Sequence, residues 1–286
     1  MNSNSYSREE IVEYYDKTQV HYERSWNLKK SFSLHYGIWD QSTQNFHEAL
    51  ENTNKTLFEA AEIKAGDAVL DAGCGVGGAA FYINSRCPES KVTGISLSSN
   101  QIKQANERLQ SSGLENRLNF QVADFTDTPF EDESFDVVWA CESVCHADNK
   151  ADFLKEAYRL LKPGGRLVMF DFYLTPEGQK DPKGYINKWK QTWAISNYAA
   201  IDEFSNQLNE LNYSDIQRIN YTPKVVKSAK RMYRLYFLGV FFSNLYRLYN
   251  PKVSRFADSH YLCGKYQYLA LKDNLWEYNL FTARKK

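Results

Sequence analysis

The run Asp71-Ala-Gly73-Cys-Gly75-Val-Gly77-Gly78 puts a carboxylate immediately ahead of a glycine cluster. Glycine tolerates positive φ and, lacking a Cβ, lets a bound molecule lie against the backbone. Gly73, Gly75 and Gly78 satisfy the G-x-G-x-x-G spacing of dinucleotide sites. Such a site wants an acidic residue about 20 positions further on to hold a ribose. The corresponding strand end reads Gly94-Ile95-Ser96 and carries no carboxylate. A carboxylate before the glycines suits a cationic ligand, such as a sulfonium with its amino group, and opposes a pyrophosphate. A tight turn with no ligand is the bland alternative. The second constellation is Ala140-Cys-Glu142-Ser-Val-Cys-His146-Ala-Asp148. Glu142 is a candidate base or cation stabiliser, with His146 assisting; otherwise Glu142 is an ordinary polar residue and His146 caps a helix. The cysteines at 74, 87, 141, 145 and 263 are odd in number and form no CxxC pair. Neither a disulfide framework nor a zinc site is indicated, and no metal is expected.

These residues need a scaffold, and the middle of the chain spells one. Strands are expected at Ala68–Asp71, Lys91–Ile95, Asn119–Ala123, Phe135–Ala140 and Arg166–Asp171. Helices are expected at about Gly77–Arg86, Ser99–Ser112 and Asp152–Leu161, the last stopped by Lys162-Pro-Gly-Gly165. Alternating strands and helices imply right-handed βαβ units and a doubly wound parallel α/β sheet. Ligands of such sheets sit at the carboxyl ends of the strands, where Asp71 and Glu142 both fall. Three zones follow: 1–60, helical and polar; 61–175, the core; and 176–286, helical, aromatic and basic, ending in a strand near Trp276–Thr282.

Lys plus Arg equals Asp plus Glu, 35 each, a balance that argues against nucleic acid as a partner. Residues 1–10 show no signal pattern, and the longest apolar run, Leu235–Phe242, is far short of the roughly 20 residues that span a bilayer. A reduced, cytoplasmic setting is the expectation.

Val69-Leu-Asp-Ala-Gly-Cys-Gly-Val-Gly77 resembles the first motif of class I S-adenosylmethionine-dependent methyltransferases. The resemblance implies a Rossmann-like sheet and S-adenosylmethionine as cofactor, leaving as S-adenosylhomocysteine, with Asp71, Gly73 and Gly75 around its methionine part. Gly94-Ile-Ser-Leu-Ser-Ser-Asn-Gln101 is similar to the second motif of the sterol, tocopherol and cyclopropane-forming subgroup, in which Ser96, Leu97 and Gln101 replace the acidic ribose ligand. Ala123-Asp124-Phe125 resembles the motif whose carboxylate binds the adenine amino group. Together these matches cover about residues 66–175. The Glu142–His146 stretch is similar to the corresponding segment of sterol and tocopherol methyltransferases. Tyr14-Tyr-Asp16, Trp26 and Leu34-His-Tyr-Gly-Ile-Trp-Asp40 look like the opening of the same subgroup, which closes over the cofactor. Tyr14 and Tyr15 are therefore expected at the cofactor and His35 and Tyr36 at the substrate; a surface helix packed by its tyrosines is the alternative.

Aromatics make up 15% of the chain and crowd its last third. Trp189, Trp193, Tyr198, Tyr233 and Phe237, with neighbours Tyr185, Phe204, Tyr236, Phe241, Phe242, Tyr246 and Tyr249, suggest an apolar acceptor pocket; a packed core is the plain alternative. A basic stripe, Lys224, Lys227, Arg231 and Arg234, shares one helical face. It reads as solvated surface, as peripheral membrane contact or as a diphosphate site on a prenyl substrate. The sequence thus points to an enzyme with an N-terminal helical lid, a cofactor core, and a helical insertion after the fifth strand. Its favoured reaction is C-methylation of a hydrophobic isoprenoid, sterol-like or prenyl acceptor through a carbocation. O- or N-methylation of a small metabolite, a noncatalytic cofactor-binding module and a dehydrogenase stand behind it, and a homo-oligomer is left open.

Overall fold

The computed structural model describes residues 6–26, 28–249, 256 and 259–286. Alternation of buried side chains builds the centre. In β1 (Ala68–Ala72), Val69 faces one hydrophobic cluster while Leu70 and Ala72 face another. In β4 (Phe135–Cys141), Val137 and Trp139 join the first cluster, and Val138 and Ala140 the second. A strand buried on both faces is the mark of a sheet covered on both sides by helices.

With β2 (Lys91–Ser96), β3 (Leu118–Val122), β5 (Leu161–Leu174), β6 (Ala199–Ala200), β7 (Tyr213–Asn220) and β8 (Trp276–Lys285), the sheet has eight strands in the order β3-β2-β1-β4-β5-β8-β7, β6 pairing β5 off that path. Pairing is parallel from β3 through β5, and antiparallel where β8 enters between β5 and β7. The strand order reverses between β1 and β4, so a crevice must open beyond their carboxyl ends. The intervening helices are α4 (Gly78–Arg86), α5 (Ser99–Gln110) and α6 (Lys150–Leu160), the last two started by the side chains of Ser98 and Asn149.

Upstream lie α1 (Arg8–Ser25), α2 (Leu28–Ser31) and α3 (Phe46–Ala61). Downstream are α7 (Pro176–Lys180), α8 (Tyr185–Thr192), α9 (Ile201–Glu210), α10 (Thr222–Tyr249) and α11 (Tyr261–Lys272). The last third is therefore not simply helical. Strand β7, Tyr-Ser-Asp-Ile-Gln-Arg-Ile-Asn, escapes a hydrophobicity-based reading because it is an edge strand with only Tyr213 fully buried. No described helix is long and apolar enough to cross a membrane.

Candidate functional site

A cavity of about 590 Å³ opens beyond the carboxyl ends of β1, β2 and β4. Its floor is the glycine turn. A Cβ built on Gly73, whose φ is +93°, would stand 2.2 Å from Ser143 Cβ, and the Ser143 hydroxyl donates to Ala72 O at 2.6 Å. Only glycine lets the first turn and the end of β4 come this close. Gly78 is equally constrained: its built Cβ would meet Phe32 O at 2.0 Å, where the N-terminal segment crosses α4.

Of the carboxyl-bearing residues that line this cavity, Asp71 and Glu142 are buried. Asp71 is only 2% exposed and its Oδ2 has no hydrogen-bond partner. Burial, with no compensating cation, pushes its pKa up to about 7. Glu142 leaves β4 with a left-handed φ of 53°, a strained conformation for a residue with a Cβ. Its Oε1 accepts from the Tyr36 backbone N–H at 2.6 Å and from the Tyr278 hydroxyl at 2.7 Å. That leaves Oε2 as the oxygen available to a ligand. Burial outweighs both donors and raises this carboxyl to about 8. Behind it, the two oxygens of Asp171 accept from the Cys145 and Phe172 backbone N–H groups at 2.8 Å each, and burial raises Asp171 to about 6.

His146 closes the same wall on a short 3-10 turn, Val144–His146. Its Nε2 shares a 2.8 Å hydrogen bond with Tyr15 Oη on α1, and burial lowers its pKa to about 4. At neutral pH it is a neutral imidazole. The turn is pinned by Lys150, whose ammonium donates to Cys145 O and Asn197 O at 2.9 Å each and also to Ala147 O. Helix α1 makes further bonds around the rim: Asp16 accepts from Ser98 at 3.0 Å, Gln19 from Asn100 at 2.8 Å, and Arg8 pairs with Asp124 at 2.6 Å.

These buried groups set a pH dependence. Asp71 and Glu142 have folded pKa values above their ordinary ones, so the folded state holds protons the unfolded chain has released. Stability therefore falls as pH rises toward about 8. His146 acts in the opposite direction, but only below its ordinary 6.5, and Lys150, lowered to about 8, only above that. Between pH 6.5 and 8 the carboxyls are unopposed. The melting temperature of the ligand-free protein is expected to drop across that interval, and a cationic ligand should flatten the drop. A melting temperature that rises there contradicts this electrostatic picture.

Of the residues expected from sequence, Asp71, Gly73, Gly75, Ser96, Leu97, Gln101, Asp124, Phe125, Tyr15, His35, Glu142 and His146 all line the one cavity. Ser96 and Gln101 pair with each other, Oγ to Oε1, at 2.7 Å. Asp124 Oδ1 accepts from Thr126, and its Oδ2 is held by Arg8. Others are placed elsewhere. Tyr14 lies on the buried side of α1, its hydroxyl 3.1 Å from His260 Nε2. Tyr36 reaches the site by its backbone alone; its ring packs against Phe172, Trp276 and Tyr278. Trp189, Trp193 and Tyr198 surround Phe172 at centroid distances of 5.3, 5.6 and 6.3 Å and form core, because they sit one layer behind the wall. Tyr233 and Phe237 lie on α10, Tyr233 stacked on Tyr268 and edge-on to Phe237, away from the lining. The basic stripe is also absent from the lining, which sets aside its diphosphate reading at this cavity; Arg231 instead covers Phe46 at 4.2 Å. The side chains of Phe242, Tyr246 and Tyr249 lie outside the described residues. Tyr278 and Lys150 were not anticipated, since neither belongs to a local motif; Ser143, inside the Glu142 segment, was within reach.

A family model described as a methyltransferase domain matches residues 70–169. The chain is 39% identical over 181 residues to 27-O-demethylrifamycin SV methyltransferase of Amycolatopsis mediterranei, covering 62% of this chain and 65% of that one. It is 30% identical over 236 residues to the chloroplastic tocopherol O-methyltransferase of Arabidopsis thaliana, covering 76% and 66%. The chain thus spans just under two thirds of the length of these relatives. A solved structure of geranyl diphosphate methyltransferase with GPP and sinefungin superposes with a TM-score of 0.77 at 19% identity, covering 98% of this chain and 99% of that one. At that identity the likeness is one of fold.

Proposed function

We propose that the chain is a class I S-adenosylmethionine-dependent methyltransferase, a reading supported by its likeness to a methyltransferase domain model and to two named methyltransferases, and that it methylates a hydrophobic acceptor, with a carbon of an isoprenoid, sterol-like or prenyl skeleton favoured. The cavity fits the cofactor on its own chemistry: an unpartnered buried carboxylate for the amino group, a glycine floor for close approach, and a Ser96–Gln101 pair for the ribose. Asp124 is assigned to the adenine amino group, which requires Arg8 to yield its place on Oδ2. Helix α1 serves as the lid, and Tyr15 carries it onto His146.

Bound S-adenosylmethionine supplies an activated methyl on a sulfonium, so the protein's work is mainly to position the acceptor in line and exclude water. The observation that carries the reading is Glu142: a buried carboxyl, fixed on Oε1 by two donors, with Oε2 left for the substrate side. Transfer of the methyl from the bound cofactor to an alkene carbon would leave positive charge on the acceptor. That charge favours the ionised form of Glu142, which takes the proton from the adjacent carbon and restores an alkene. A second reading, O-methylation of a hydroxyl on a large apolar molecule, is favoured by the name of the 39% identical relative; Glu142 would then take the hydroxyl proton.

Incubation with methyl-labelled cofactor and a lipid extract tests the proposal. Label should pass into the organic phase. Cofactor binding without any transfer would instead support a noncatalytic binding module and overturn the enzymatic reading.

A further inference from the structure

The charge of this chain is balanced overall, 35 against 35, but not along its length. The 42 residues from 216 to 257 contain nine Lys or Arg and no Asp or Glu. Most of that stretch is α10. Lys227, Lys230 and Arg234, at separations of three and four, fall on one helical face and are exposed. Continuing along the same face come Phe237, Leu238 and Phe241, exposed by 57%, 57% and 65%. Among the described residues only six large hydrophobics are exposed, and four of them, these three and Val226, lie on α10. Buried counterparts such as Val225, Ala229 and Met232 occupy the opposite side of the helix, so the exposed face is not needed for the core.

We propose that this face of α10 docks on a bilayer surface rich in anionic lipid headgroups. An interfacial helix needs cations for the headgroups and bulky apolar side chains for the acyl boundary, and α10 provides both in one stripe, without a carboxylate to repel the surface. Lys and Arg stems also lie along apolar surface while their heads stay in the polar layer. A nucleic acid would use the cations but would leave Phe237, Leu238 and Phe241 in water. The docking is peripheral, since no described helix can span. It is independent of which molecule is methylated.

The test is flotation of the full chain with vesicles of phosphatidylcholine alone and of phosphatidylcholine mixed with phosphatidylglycerol. Partition onto the anionic vesicles is expected to be stronger by roughly a hundredfold, from three cations near a charged surface, and to weaken with salt. K227E/K230E/R234E should abolish it, and L238S/F241S should reduce it at least about tenfold. Both variants should keep the wild-type melting curve and cofactor affinity, which shows that the fold survives. No preference for anionic vesicles overturns the proposal. So does partition unaffected by L238S/F241S, a loss of self-association rather than of vesicle binding in both variants, or tighter binding to duplex DNA that depends on the cations alone.

Discussion

Asp71→Asn should remove more than about 99% of the affinity for S-adenosylmethionine while leaving the ligand-free protein at least as stable as the wild type. The two effects have one cause. Asp71 is buried with no cation beside it and an unpartnered oxygen, so its charge is a cost to the empty fold and an asset only when a positive ligand arrives. Losing one partner of a buried, hydrogen-bonded charge pair typically costs about 3 kcal/mol or more, over about a hundredfold in Kd. Asparagine has the same shape and no charge to desolvate, so the melting temperature at pH 8 should rise. The wild type should also bind more tightly as pH climbs through about 7, where Asp71 releases its proton, and the variant should lose that part of the slope. A structural role for Asp71 predicts the reverse pairing: a lower melting temperature and a pH dependence that survives.

Glu142→Gln should leave cofactor affinity within about threefold and, for C-methylation, lower turnover by roughly a hundredfold to ten-thousandfold, the usual worth of a positioned base. Glutamine can still accept from Tyr36 N–H and Tyr278 Oη through its carbonyl, so orientation is kept and only the basic oxygen is lost. Tyr278→Phe isolates the other half of the arrangement. The ring keeps its 4.9 Å stack on Phe170, but Glu142 loses a donor that favours its charged form. Turnover should fall about tenfold, and the ascending limb of its pH profile should move to higher pH. If Glu142→Gln merely halves turnover, methyl transfer goes to an already nucleophilic atom and the carbocation route is wrong.

The parts of this site that the sequence disclosed are those confined to one loop. Asp71 to Gly78, Gly94 to Gln101, and Ala123 to Phe125 each lie at the end of one strand, where local spacing dictates geometry, and all reach the same cavity. The partners that orient them come from far away. Tyr278 touches Glu142 across 136 positions, on a strand that inserts antiparallel between β5 and β7. Nothing local to Tyr278 announces this. The aromatic residues of the last third misled for a related reason: Trp189, Trp193 and Tyr198 do converge, but on Phe172 in the core, and composition cannot distinguish a packed cluster from an open pocket. Tyr36 shows the limit within a motif, since its contribution is a backbone N–H that any residue type could donate.

Everything depends on which molecule rests on the turn that starts at Asp71. Titration calorimetry of the purified chain with S-adenosylmethionine, S-adenosylhomocysteine and NADH decides it most directly. The account predicts saturable one-to-one binding of the first two, tighter at pH 8 than at pH 6.5, and no heat with NADH. Heat with NADH alone would contradict it.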